Sequence, residues 1–218
     1  SYMIHRMETA NDCKFLHLVC EEIYTAHVHR VASFFRTLED TSNVWVLLHV
    51  ECGGESWVSQ HLSHIFRTFP GNVTIFVPEM AFSAGSALAL SGDALVLGKY
   101  AFITPFDDII CGKSFKNMLK MQPNSSMSLS DLNHIEESKY SVTTMNDEVE
   151  LICKDKHGTG HRYAKETIEA HFVYHNRHHS QPIYANELVR MGINVIQREL
   201  PDGMRAILNK CKDIFIQS

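Results

Sequence analysis

Residues Val73-Thr-Ile-Phe-Val77 form a short apolar, β-branched run closed by Pro78. The mostly small residues Met80-Ala-Phe-Ser-Ala-Gly-Ser-Ala-Leu-Ala-Leu90 follow it. The first run reads as a buried strand, and proline ends it because it cannot donate to a central ladder. From Ala84 onward the residues are good or tolerable helix formers. The segment therefore predicts strand, tight turn, helix. Ser83 falls at that turn, where the orphan N–H groups and dipole of a helix N-terminus favour developing negative charge. Gly85 lets another backbone or a substrate come close. The same residues also fit a tightly packed helix carrying two incidental serines, Ser83 and Ser86.

The flanking sequence gives this junction a context. Phe15, Leu16, Val19, Ile23, Val28, Val31, Phe34 and Phe35 recur at helical spacing and predict an N-terminal helix over about 12–38. Val44–Val50 reads as a strand and Cys52-Gly-Gly-Glu55 as a turn. Val58, Leu62, Ile65, Phe66 and Phe69 make one helical face, which Pro70-Gly71-Asn72 stops. Strand, helix, strand, helix, strand implies an α/β fold with a parallel sheet. A chain of 218 residues is expected to be one domain with a sizeable core.

The net charge is −5, from 20 basic and 25 acidic residues. That balance argues against a nucleic acid or an anionic membrane surface as the main partner. No apolar run reaches the roughly 18 residues of a membrane helix. The six cysteines are scattered without a Cys-x-x-Cys pair, which reads as reduced thiols of a cytoplasmic protein. Fourteen histidines are unusual, and six cluster late. His157/His161 and His171/His175 are spaced to share a metal on a helix, but the cluster reads as His-rich surface, and no metal site is expected.

Three blocks in order carry a family resemblance. They are Met80-Ala-Phe-Ser-Ala-Gly-Ser86, Ser91-Gly-Asp-Ala-Leu-Val-Leu-Gly98 and Ile103-Thr-Pro-Phe-Asp-Asp-Ile-Ile110. His49-Val-Glu-Cys-Gly-Gly54 upstream and His179-Ser-Gln-Pro-Ile183 with Met191-Gly-Ile-Asn-Val195 downstream extend the match. Together they resemble the serine dehydrogenase proteinase family, of the Clp-protease-like class and related to signal peptide peptidase A, over about residues 43–200. The resemblance implies a crotonase-like spiral of strand-strand-helix units. It also implies a serine endopeptidase with no cofactor, acting on a peptide or protein substrate and packing as a homo-oligomer. Members often carry an N-terminal membrane anchor, which is not visible in this chain. Ser83 would be the nucleophile, and the N–H groups of Gly53 or Gly54 and of Ala84 would form the oxyanion hole. Two blocks depart from the family pattern near the expected cleft: Val50-Glu51-Cys52 before the glycines, and Thr104-Pro105-Phe106-Asp107-Asp108-Ile109.

A serine hydroxyl needs a base. The Clp-type position for a histidine falls in Tyr100–Asp108, which contains none. Signal-peptide-peptidase relatives use a Ser-Lys dyad, which directs attention to a long helix expected from Ser130. Its apolar stripe is Leu132, Ile135, Val142, Met145, Val149 and Ile152, and Lys139 falls on it. A lysine desolvated there would have the lowered pKa a base requires; one that snorkels out would not. Lys139 is the expected base, with Lys116, Lys120 and His134 as alternatives. Residues 111–130 are expected to be a mobile loop over the site. Helices are expected over 162–176, Ala185–Met191 and Pro201–Phe215, and a strand over Ile193–Ile196. Two other readings stand beside the peptidase. One is a crotonase-like acyl-CoA enzyme using Asp107 and Asp108, and the other a catalytically inert oligomeric binding module.

Overall fold

The structure, a computed structural model, describes residues 13–156, 158, 160–200, 202, 203, 205, 206, 208 and 209. The chain opens on strand β1 (Cys13–Ile23), then α1 (Thr25–Arg36), β2 (Asn43–Gly54), α2 (Ser56–Thr68), β3 (Asn72–Val77) and β4 (Met80–Ala81). Helix α3 (Ala84–Ser91), β5 (Ala94–Leu97) and β6 (Phe102–Ile103) follow, then the hairpin β7 (Ile109–Ile110) and β8 (Lys113–Ser114). The last part holds α4 (Phe115–Leu119), α5 (Leu129–Cys153), α6 (Lys165–Ile168), a π-helical turn (Glu169–Val173), β9 (Ile183–Tyr184), α7 (Ala185–Arg190) and β10 (Val195–Gln197).

One sheet runs in the order β10-β5-β3-β2-β4-β6-β9, with β1 also paired to β2. Every pairing in it is parallel except β6 with β9. The α/β architecture expected from the alternation is thus present. Strand β2 explains why Val44–Val50 lacks clean polar alternation. Neighbours pair along both of its edges, and Val46, Leu47, Leu48 and Val50 are buried, as in sheets covered on both faces. Leu48, Val50, Leu62, Leu88 and Ile75 belong to the main core beneath the helices, and Leu47, Phe76, Val96, Leu200 and Leu208 to a smaller cluster. Residues 202, 203, 205, 206, 208 and 209 are helical; His157, Pro201, Cys211 and the rest of the expected tail helix lie outside the described residues.

The N-terminal helix over 12–38 is corrected. Its first half is strand β1, and only Thr25–Arg36 is helical. Phe15, Leu16, Val19 and Ile23 fit a period of 3.6, but the alternation Leu16, Leu18, Cys20 against Phe15 and Val19 fits a period of two. Leu16, Leu18 and Cys20 join the main core, while Phe15 and Val19 pack on the smaller cluster. Parallel pairing to β2 decides the conflict.

Two further expectations change. Residues 111–130 are not one loop: β8 and α4 form there, and Phe115 and Met118 are buried. Helix α5 is capped by Ser128, not Ser130. Ser128 Oγ accepts from the Asp131 N–H at 3.1 Å, and Asp131 Oδ2 accepts back from the Ser128 N–H at 3.1 Å. This is a capping box with aspartate in the glutamate position.

Asp93, in the Ser91-Gly-Asp block, ties the layers together. Its carboxylate accepts from Arg67 Nη1 (2.9 Å), Lys156 Nζ (2.9 Å) and the Val73 N–H (2.8 Å). The block's role in this fold is structural.

Candidate active site

The turn between β4 and α3 has strained backbone. Ser83 has φ 49° and ψ −113°, a region that costs a non-glycine residue on the order of 1–3 kcal/mol. The surroundings hold it there. The Phe82 N–H donates to Val50 O (3.0 Å), the Gly85 N–H to Phe82 O (2.8 Å) and the Ser83 N–H to Thr104 Oγ1 (2.8 Å). Gly53, at the end of β2 with φ 99°, passes so close that a Cβ there would sit 2.7 Å from Ser83 Cβ. A Cβ on Gly85 would meet Val50 at 2.7 Å. Glycine is required at both places by close approach.

The two serines of the junction have different surroundings. Ser86 is fully buried; its Oγ donates to Ala81 O (2.6 Å) and accepts the Thr104 N–H (2.9 Å). Ser83 lines a cavity of about 580 Å³. Gly54, Ala84 and Cys52 line the same cavity. Ala84 opens α3, so its N–H is among those a helix leaves without an intrahelical partner.

Lys139 is elsewhere. Its side chain is 58% exposed, Nζ pairs with Glu136 Oε2 at 2.6 Å, and it is not among the residues lining the cavity. The expected apolar stripe of α5 is corrected too. The buried face is Ile135, Ser138, Ser141, Met145, Glu148, Val149 and Ile152, whereas Leu132 is exposed and Val142 half-buried. Lys139 follows Ser138 by one residue, about 100° around the helix, and so turns outward. Lys116 Nζ donates to His175 O, and burial lowers its pKa, with Asp107 opposing. Lys116 and Lys120 line a second cavity, of about 400 Å³. His134 lines neither of these cavities.

The side chain that does share the cavity with Ser83 is His179. Its ring stands edge-on to Phe82, centroids 6.3 Å apart. Its Nδ1 lies 2.8 Å from Asp107 Oδ1, and His175 Nε2 lies 2.8 Å from the same oxygen. Ser114 Oγ donates to Asp107 Oδ2 at 2.5 Å. Burial pushes the Asp107 carboxyl up, but hydrogen bonds from His175, His179 and Ser114 outweigh it and hold the group well below the usual carboxylate range. An ionised carboxylate only accepts, so both imidazoles present N–H to it. His175 Nδ1 in turn accepts the Arg177 N–H at 3.1 Å, which makes His175 the neutral Nε2–H tautomer. A neutral His179 bonded through Nδ1–H has a lone pair on Nε2.

In the sequence His179 reads as part of a motif match and Asp107 as a carboxylate for a different chemistry. His175 reads as part of a His-rich surface, yet it is buried. The irregular π-helical turn at Glu169–Val173, where the Tyr174 N–H reaches back to Glu169 O, precedes it. The usable signal was that Asp107 and His179 each lie inside a family-like block. Asp108, which lines the same cavity, accepts from the Ser141 and Ser56 hydroxyls, and burial raises its pKa. Glu148 accepts from Ser63 Oγ at 2.8 Å and is only 1% exposed. Among the described residues, no three His, Cys, Asp or Glu side chains converge as a metal site.

A family model described as ClpP-like SDH-type serine proteinase matches residues 2–215. An uncharacterized protein of Methanocaldococcus jannaschii is 25% identical over 196 residues, covering 88% of this chain and 65% of that protein. The chain thus spans about two thirds or slightly less of that relative's length. Among solved structures, a mutant of the 1510-N membrane-bound stomatin-specific protease aligns with TM-score 0.57 and 14% identity, covering 88% of this chain and 83% of the other. At that identity the likeness bears on fold alone. Among the described residues no helix is long and apolar enough to cross a membrane.

Proposed function

The chain belongs to the ClpP-like SDH-type serine proteinases, and from that premise we propose that it hydrolyses peptide bonds with Ser83 as nucleophile and His179, oriented by Asp107, as base. The observation that carries the reading is the shared cavity of Ser83 and His179, with His179 Nδ1 2.8 Å from Asp107 Oδ1. The base is assigned to His179 in place of Lys139, because the expectation for Lys139 rested on burial that its side chain lacks.

In the first step Ser83 Oγ attacks the scissile carbonyl carbon while His179 Nε2 accepts the hydroxyl proton. The carbonyl oxygen becomes an oxyanion. The N–H of Ala84 and an N–H of Gly53 or Gly54 are its proposed donors, and a positive helix end favours that charge. Imidazolium then gives its proton to the leaving amine and the C–N bond breaks, leaving an acyl-Ser83 ester. Water, losing a proton to His179, attacks the ester; the bond to Ser83 Oγ breaks, the imidazolium returns its proton to that oxygen, and the acid is released. Asp107 stays ionised and stabilises the imidazolium. We also retain a homo-oligomer as part of the proposal. Hydrolysis of an unfolded protein such as casein, abolished in Ser83→Ala, tests the function. A pure parent protein without that hydrolysis, whose fold is intact by circular dichroism, would contradict it.

A further inference from the structure

We propose that the acidic pocket beside Ser83 is a subsite for a cationic side chain, so that the enzyme cleaves after lysine or arginine. This rests on the peptidase reading and names its substrate class.

Among the described residues, six acidic side chains line the cavity, Glu22, Glu55, Asp107, Asp108, Glu137 and Glu148, and no lysine or arginine does. The overall charge of −5 does not account for this local sign. Immediately across Asp107 and His179, the second cavity is lined by Lys113, Lys116, Lys120 and Arg177. The sign of the surface therefore reverses at the catalytic histidine.

The second observation is an orphaned oxygen. Glu148 Oε1 takes the Ser63 hydroxyl at 2.8 Å and a long contact from Ser59 at 3.5 Å. Glu148 Oε2 is buried without a hydrogen-bond partner among the described residues, although Glu148 lines the cavity. A buried oxygen without a donor is costly whichever protonation state the carboxyl adopts. An ammonium or guanidinium entering the cavity supplies the missing donor and the opposite charge together. Desolvation, with the Asp108 charge adding to it and the serine hydroxyls opposing, pushes the Glu148 carboxyl up to about 7. A cation beside it would restore the carboxylate.

Position links this pocket to the chemistry. Ser59 Oγ lies 3.4 Å from Ala84 O and 3.5 Å from Glu148 Oε1, so a single hydroxyl separates the nucleophile turn from the buried carboxyl. Ala84 and Ala87 wall the same space with small side chains. Asp108, held by Ser56 and Ser141, adds a second carboxyl to the lining. Ser83 and Glu148 line one cavity, so a side chain bound beside Ser83 shares that space with Glu148.

The test uses two readouts on the full chain. The first is calorimetric binding of benzamidine against neutral benzamide. The second is hydrolysis of fluorogenic peptides that differ only in Arg, Lys, Leu or Asp before the cleaved bond. The expected result is benzamidine binding at least tenfold tighter than benzamide, and kcat/KM for Arg and Lys peptides at least tenfold above Leu. Glu148→Gln and Asp108→Asn should each reduce both ratios, with the change carried mainly by KM. Equal binding of benzamidine and benzamide by the parent, or a Leu or Asp preference, overturns the proposal without needing any variant to fold. Selective benzamidine binding without hydrolysis of any peptide would uphold the cation pocket and sink the peptidase reading instead.

Discussion

His179 Nδ1 and Asp107 Oδ1 stand 2.8 Å apart at the edge of the cavity that holds Ser83. The two residues are 72 positions apart in sequence. The β6–β9 pairing, Ile103 against Ile183, brings their segments together. Asp107 follows β6 and His179 precedes β9, so one short antiparallel ladder brings the proposed orienter and the proposed base together.

Replacing Asp107 with Asn should lower kcat by about 10²- to 10⁴-fold with little change in KM. An asparagine side chain can donate as well as accept, so the Nδ1–H tautomer of His179 is no longer enforced. Because hydrogen bonds hold the Asp107 carboxyl well below the usual range, its own titration should leave no step in the neutral part of the rate profile. Steady-state kinetics of the variant, with its fold checked by circular dichroism, measure this.

Lys139→Ala should keep peptide hydrolysis within about twofold of the parent. The ammonium is exposed and, among the described residues, paired only with Glu136 on the same helix face, so the stability cost should stay below about 0.5 kcal/mol. A rate loss of a hundredfold would reinstate the dyad.

Glu148→Gln should make stability less dependent on pH. Burial raises the carboxyl from 4.5 to about 7 in the folded protein. A group with a raised folded pKa contributes its full stability below the unfolded value and loses it as pH rises through the folded one. The parent should therefore lose stability between about pH 4.5 and 7 through this residue. The advantage of the variant should grow by about 3 kcal/mol across that window, at 1.36 kcal/mol per pKa unit. Urea midpoints of both proteins at pH 5 and pH 8 give the difference directly.

What the sequence showed and hid follows from which signals are local. The strand-turn-helix at Val73–Leu90 is legible because Pro78, the small residues and the helix formers all act within one segment. The strand Cys13–Ile23 was not, since its apolar spacing satisfies two periods and only pairing to β2 chooses. Helix α5 misled for a related reason. Its buried face carries Ser138, Ser141 and Glu148, which a search for apolar residues skips. These residues are buried because other segments provide partners: Ser63 for Glu148 and Asp108 for Ser141. Discarding them rotated the apparent stripe onto Lys139. The proposed base is hard to see in the sequence because no histidine lies at the Clp-type position, whereas His179 comes from a turn ahead of β9, far along the chain.

The most direct test of the central claim, a Ser83 nucleophile served by His179, is covalent labelling by a fluorophosphonate probe with the adduct mapped by mass spectrometry. The account predicts an adduct on Ser83, none in Ser83→Ala, and labelling slowed by about 10²- to 10⁴-fold in His179→Ala but unchanged in Lys139→Ala. An adduct on Ser86, or a His179→Ala protein that labels as fast as the parent, would contradict it.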